Sequence, residues 1–352
     1  MTEVATRNRF QERASRRPTL SDIASRAGVS TASVSRVISG SGRVSAGRRE
    51  RILREIEASG YVPHGAARAL ATMKSMTVGA IIPTLANSIF ATGLQAFEQR
   101  LDDAGYTLLI SISEYDPEHA LRHMRNLVRQ GVDGVMLIGE SFPDEMFDLA
   151  RANGVPYVVT WSQRAESEHP AVGFDNRLAA YRLARYLLEI GHRDIAMIAG
   201  AASHNDRAAD RIEGVAAALA EWDAPLRENW LIERNYDVQE GREAARRLMS
   251  NQERPTALIC GNDVLAMGAL FECRDLGVSV PEDVSIVGFD DLPLAAHLSP
   301  PLTTMAVPSE LMGRYAAEYL LGRFAGAPVP DRKALEVGLV VRETTAPPGG
   351  RR

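Results

Sequence analysis

Thr19–Pro63 reads TLSDIASRAGVSTASVSRVISGSGRVSAGRRERILREIEASGYVP, and three short helical patterns separate within it. Thr19 is suited to cap a first helix running to Arg26, with Asp22 near its positive end and Leu20, Ile23, Ala24 and Ala27 as the apolar stripe. Gly28 supplies the turn. Ser30 caps a second pattern whose inward residues Val34, Val37 and Ile38 fall at i, i+3 and i+4. A third begins at Ser45, runs through Ile52, Leu53 and Ile56, and stops near Gly60.

The second pattern is unusually bare. Its outer face is Thr31, Ala32, Ser33 and Arg36, small side chains around a single long one. Two short helices joined by a Gly-containing turn and backed by a third form a helix-turn-helix unit, whose second helix enters the DNA major groove. A slim outer face is what that groove admits: short hydroxyls bond phosphate oxygens while one long Arg reaches a base edge. A small three-helix bundle that binds protein is the competing reading of the same pattern.

Charge favours DNA. The chain has 352 residues and a net charge of −5, but residues 1–74 carry 14 Lys/Arg against six Asp/Glu, a local +8 that leaves −13 for the rest. A basic head on an acidic body points to a polyanionic partner for the head alone. Residues 1–17 read as a disordered basic tail. With 45% apolar content, two or three globular units are expected. No run of eighteen apolar residues occurs and the N-terminus is polar, so no membrane partner is expected and the localisation read from the sequence is cytoplasmic. Cys260 and Cys273 have neither metal nor disulfide spacing and are expected to be reduced packing residues. His119, His123, His192 and His204 show no ligand spacing either and read as surface or helix-end residues.

Beyond Met76 short apolar runs alternate with longer amphipathic ones. TVGAII, YTLLIS, GVMLI and YVVT make one series, and IAMIAG, ALICG and SIVGF belong to a second. This predicts an α/β core of two doubly wound parallel-sheet lobes behind an all-α head. Ligands in such sheets bind at the carboxyl ends of the strands. Just past those ends stand Ile89 and Phe90, Trp161, Arg207 and Arg211, Asn262, and Asp290, with Tyr236 ahead of the GREAARRLM segment. Aromatic faces and forked polar groups suit a hydroxylated, ring-bearing ligand. Arg207 and Arg211 are four apart and share a helix face. Two guanidinium forks favour a carboxylate, so the expected effector is a sugar or sugar acid. Asp263 and Asp291 read equally well as helix caps or as ligand contacts.

TLSDIASRAGVSTASVSRVIS, then VS, GYVP and ARAL, resembles the N-terminus of the lac repressor/galactose repressor family of bacterial transcription regulators. The resemblance runs on from Thr19 to about Pro347 through GYTLLIS, GVDGVMLIG, GFDN, GHRDIAMIAG, RPTALICGNDVLAMGAL, VPEDVSIVGFDD and PPLTTMAVP. It implies that Thr31, Ala32 and Arg36 meet bases, and that Ser30, Ser33, Ser45 and Tyr61 meet phosphates, with Thr19 at the edge of the same surface. Leu70 matches the leucine that wedges a central base step, though an ordinary linker leucine would read the same. His64 departs from the family, which usually has Asn there. Effector contacts are implied at Trp161, Arg211, Tyr236, Asn262 and Asp290, while Arg207 stands where members vary.

The resemblance also divides the chain. It gives a tail at 1–17, a helix-turn-helix domain at 18–62, a hinge helix or linker at 63–75, an N-terminal lobe at 76–174 plus 305–331, and a C-terminal lobe at 175–304 plus 332–347. The expected partners are palindromic operator DNA, a small-molecule effector and a second copy of the chain. The ending ETTAPPGGRR has no apolar heptads, so assembly is expected to stop at a homodimer. No cofactor, metal or enzymatic activity is expected: the chain has no P-loop, no G-x-S-x-G and no paired-carboxylate signature. A solute-binding protein without a regulatory role is the alternative, and the first eighty residues argue against it.

Overall fold

The computed structural model describes residues 18–39, 42–61 and 74–349. The expectations for residues 1–17, His64 and Leu70 lie outside these. The chain divides into two compact units, with the boundary between Met76 and Thr77.

The first unit holds α1 (Leu20–Ala27), α2 (Thr31–Ser39) and α3 (Ala46–Ser59). Thr19 and Asp22 form a reciprocal capping box at the start of α1: the Thr19 backbone N–H donates to the Asp22 carboxylate at 2.8 Å, and the Asp22 N–H to the Thr19 hydroxyl at 3.3 Å. Gly28 ends the helix at φ 65°, where a Cβ would be strained. Ile23, Ala24, Val34, Val37, Ile52 and Tyr61 close the core. Leu53 does not join it. It is 48% exposed, because the inward stripe of α3 follows Ile52 and Ile56, and Leu53 stands one residue round the helix. Tyr61, expected at a phosphate, is buried in this core.

The second unit contains two six-stranded sheets. The first has the order β11-β5-β4-β3-β1-β2, with β1 Thr77–Ile82, β2 Thr107–Ile112, β3 Gly134–Ile138, β4 Tyr157–Thr160, β5 Ala171–Gly173 and β11 Arg332–Ala334, all parallel. The second runs β12-β10-β9-β8-β6-β7, with β6 Ile195–Gly200, β7 Leu231–Arg234, β8 Ala257–Cys260, β9 Ser285–Asp290, β10 Thr303–Ala306 and β12 Gly338–Val340. Only β12 among these described strands pairs antiparallel. The central strands β1, β3, β4, β6, β8 and β9 are almost wholly buried, which is why they read as continuous apolar runs without alternation.

Helices cover both sheets. They are α4 (Ser88–Asp102), α5 (Pro117–Gln130) and α6 (Asp144–Ala152) in the first lobe, then α7 (Asn176–Glu189), α8 (Asp206–Glu221), α9 (Val238–Met249) and α10 (Asp263–Asp275) in the second. The chain then returns to the first lobe with α11 (Ser309–Phe324), which packs on α4.

Two lobe boundaries move. Met305 and Ala306 remain in β10, and Arg332–Ala334 pairs with Ala171–Gly173 in the first sheet. The third crossing therefore falls at 335–337 rather than near Arg332. The strand Arg-Lys-Ala is three residues long and carries no apolar period, so only its pairing reveals its sheet.

Cys260 and Cys273 are free and buried as expected. His192 is not a surface residue. It is 1% exposed, with Nδ1 bonded to the Thr256 hydroxyl at 2.9 Å and Nε2 to the Ala346 carbonyl at 2.9 Å, so it fastens the C-terminal segment to the second sheet. Burial pushes its pKa down.

Candidate DNA-binding surface and ligand cleft

The outward face of α2 presents Thr31, Ala32 and Arg36, all exposed. The Ser33 backbone N–H donates to the Ser30 hydroxyl at 3.3 Å and the two hydroxyls lie 3.0 Å apart, so both serines stand at the positive end of α2. Ser45 occupies the N-cap of α3 with no bond from its side chain to that helix, leaving the hydroxyl exposed. The Arg36 stem lies against Gly42, where an added Cβ would come within 3.3 Å of Cδ.

In the second unit the carboxyl ends of both sheets face one cleft. Phe90, Trp161, Arg207, Arg211, Tyr236, Asn262 and Asp290 all line a single cavity of about 20 Å³, room for about one water-sized sphere. Asn87, Ile89 and Tyr115 complete the wall. Asn87 and Tyr115 were not singled out in the sequence, although Tyr115 stands just past β2, where the strand-end rule points.

Arg211, from α8, is the centre of the arrangement. Its Nε donates to Asn176 Oδ1 at 2.9 Å and its Nη1 to the Gly261 carbonyl at 2.7 Å. Its Cζ lies 3.7 Å from the Phe289 ring centroid, and Nη2 stands 4.0 Å from Asp290 Oδ1. Asn176 also donates to the Trp161 carbonyl at 2.9 Å, joining the two lobes through one amide. Arg207 pairs with Asp206 at 2.9 Å and donates to the Ile138 carbonyl of the first lobe at 3.2 Å. Outside the cavity Arg164 forks onto Asp210, with Nε to Oδ2 at 3.0 Å. The Glu140 N–H donates to Asp206 at 3.0 Å. The lobes are thus closed on one another.

Glycines admit these side chains. A Cβ on Gly139 would sit 1.7 Å from Arg207 Nη1, and one on Gly93 would sit 2.3 Å from the Trp161 ring. Backbone strain gathers here too: Tyr115 (φ 60°), Trp161 (φ 59°) and Asp290 (φ 117°) are all in the left-handed half of conformational space. Each such residue costs about 1–3 kcal/mol and persists only where its surroundings hold it.

Burial pushes the Asp290 carboxyl up to about 8, against the opposing pull of Arg211. Asp263 is pushed up to about 7 by the same cause. Asp263 does not cap α10 and is not on the cavity wall: it accepts from the Thr304 hydroxyl at 2.6 Å and the Leu292 N–H at 2.7 Å, bracing β10 and the loop after β9. The cap of α10 is Asn262, whose Oδ1 accepts from the Leu265 N–H at 2.9 Å. Asp291 pairs with Arg342 at 2.7 Å rather than capping a helix. Three buried polar groups on the cavity wall have no hydrogen-bond partner among the described residues: Trp161 Nε1, Asn262 Nδ2 and the Tyr115 hydroxyl. Each can donate.

Residues 19–64 match the bacterial regulatory proteins of the lacI family, and residues 184–345 match the periplasmic binding protein-like domain. The HTH-type transcriptional repressor PurR of Proteus mirabilis is 32% identical over 93% of this chain and 97% of its own length. The chain belongs to the lacI family of bacterial regulatory proteins. Among solved structures of this kind, the lac repressor dimer bound to operator and an anti-inducer is 27% identical, covering 94% of this chain and 100% of that one at a TM-score of 0.82. The transcriptional regulator CelR in complex with cellobiose is 32% identical, covering 93% and 100% at 0.68. This lacI-family chain is therefore a DNA-binding transcriptional regulator with an effector-binding core. Solute binding without regulation has no support, since the lacI match lies on the head itself. No described helix is long and apolar enough to cross a membrane.

Proposed function

We propose that the protein is a cytoplasmic repressor of carbohydrate utilisation genes, released from or fixed on palindromic operator DNA by a sugar acid. One observation carries the ligand class. The cavity wall offers three unpartnered donors together with Arg211, whose Nη2 stands 4.0 Å from Asp290, while Arg207 is already paired with Asp206 and the carboxyl of Asp290 is the one acidic group on the wall. A ligand rich in acceptor oxygens and bearing a negative charge matches that imbalance. Trp161 and Tyr236 supply faces for its C–H groups.

On the head, Thr31, Ala32 and Arg36 read base edges, while Ser30, Ser33 and Ser45 bond phosphates. Two copies act together, as the lac repressor does in its operator-bound dimer. Support for a homodimer comes from β2, an edge strand with exposed Ile110 and Ile112, a surface that a second copy would cover.

A thermal-shift screen of neutral sugars, sugar acids and nucleobases tests the ligand class. A sugar acid at 100 times its Kd should add about 2.7 kcal/mol of stability. Stabilisation by nucleobases or neutral sugars alone would overturn the assignment.

A further inference from the structure

The ligand cleft is divided in two. Beyond the first cavity lies a second of about 10 Å³, lined by Ser113, Asp116, Ser141, His204 and Asp206 among others. Tyr115 and Arg207 line both, so they form the partition between them.

Tyr115 is fixed within the first lobe, and Arg207 reaches across from the second. Tyr115 sits on a tight turn at the end of β2, where the Ser113 N–H donates to the Ile82 carbonyl at 2.9 Å, Glu114 to Pro83 at 3.0 Å and Asp116 to Ser113 at 2.9 Å. Its left-handed backbone aims a buried, unpartnered hydroxyl toward the arginines of α8. Arg207 is wedged into the notch left by Gly139. The two compartments differ in chemistry: the inner one holds Arg211, the orphan donors and the Asp290 carboxyl, and the outer one holds two serine hydroxyls, His204, the Asp116 carboxylate and the Asp206 carboxylate paired with Arg207. Carboxylates repel an anionic group but accept from sugar hydroxyls.

We propose that Tyr115 is a specificity-determining residue that sets ligand length: when the lobes open to admit a ligand, it remains the wall at which the ligand must end, so that an acid one sugar long is held and an acid two sugars long is refused. An opened partition would admit a disaccharide acid with its carboxylate inward and its neutral ring among Ser113, Ser141 and Asp116. This inference rests on the sugar-acid reading above.

Calorimetric titration of the full-length protein tests it, with gluconate, galactonate and glucuronate as probes one sugar long, and lactobionate and cellobionate, each an aldonate carrying one further sugar ring, as probes two sugars long. The unaltered protein should bind at least one of the shorter acids at least about tenfold more tightly than either longer one. Tyr115→Phe keeps the wall but loses a hydrogen bond to a charged ligand, weakening the shorter acid about tenfold without changing the length preference. Tyr115→Ala should erase or reverse that preference. Tyr115→Gly, which suits the left-handed backbone, gives the same reading if Ala compromises folding. A Tyr115→Ala or Tyr115→Gly protein that weakens both classes equally overturns the inference and leaves the ligand class standing. An unaltered protein that binds none of the five acids overturns both.

Discussion

The guanidinium of Arg211 lies over Phe289, 3.7 Å from guanidinium carbon to ring centroid, in a site where both side chains are buried. A desolvated cation–π contact of this kind is worth about 2 kcal/mol. Arg211 is held in one orientation by it, with Nε and Nη1 already spent on Asn176 and Gly261. Phe289→Leu keeps the apolar volume but removes the ring. The expected result is a ligand Kd weakened about tenfold or more, since 1.4 kcal/mol is a factor of ten. Calorimetric titration with the best ligand from the screen checks this, and an unchanged Kd would show that the ring does not position the arginine.

Asp290 and Asp263 make stability depend on pH. Their folded pKa values, about 8 and about 7, stand above the ordinary carboxyl range, so the folded protein holds protons that the unfolded chain gives up. Their contribution is fully present below about pH 4 and is lost as pH rises through 7 and 8. Melting temperature should fall between pH 5.5 and 9, and Asp290→Asn should flatten part of that fall. A wild-type curve that rises over this interval would contradict the assignment.

Arg164 and Asp210 join the lobes outside the cavity, with Arg164 partly exposed and Asp210 buried. Exposure discounts the Coulombic gain, yet removing Arg164 leaves a buried carboxylate without its partner. Arg164→Ala should open the lobes, seen as a larger radius of gyration in small-angle scattering without ligand. Ligand should restore the smaller value. No change in radius would mean that the remaining bonds between the lobes, Asn176 to Trp161, Arg207 to Ile138 and Glu140 to Asp206, suffice for the closure.

The head gives a separate pair of outcomes. Arg36→Ala should lose roughly 1–3 kcal/mol of discrimination at one base pair in each half-site. Ser30→Ala should weaken binding to all sequences alike, because a phosphate contact carries no sequence information. Binding measured across a set of single-base operator variants separates the two patterns.

Much of this was legible in the sequence because the physics is local. Thr19 reads as the cap of the first helix with Asp22 near its positive end, and the strand-end rule picked out eight residues that line one cavity. What failed depends on contacts that spacing does not encode. Asn262 and Asp263 are adjacent acceptors at one helix start, and only the position of Thr304 and Leu292 decides which one caps. His192 does stand at a helix end, as its place in the sequence suggests, but its burial under the returning C-terminal segment is a long-range contact. Tyr115 follows Glu114 in a polar stretch that reads as surface, and its left-handed backbone turns it into the cleft.

The most direct measurement is a titration of operator DNA, followed by fluorescence anisotropy, with and without the stabilising ligand, for the unaltered protein and for Arg211→Ala. If the cleft controls the head, ligand should shift operator affinity of the unaltered protein by about 5- to 150-fold, the range of ordinary allosteric coupling. Arg211→Ala should show no shift while its ligand-free affinity stays within a few-fold of the original. An Arg211→Ala protein that responds to ligand as the unaltered one does would contradict the account and remove this cleft from it.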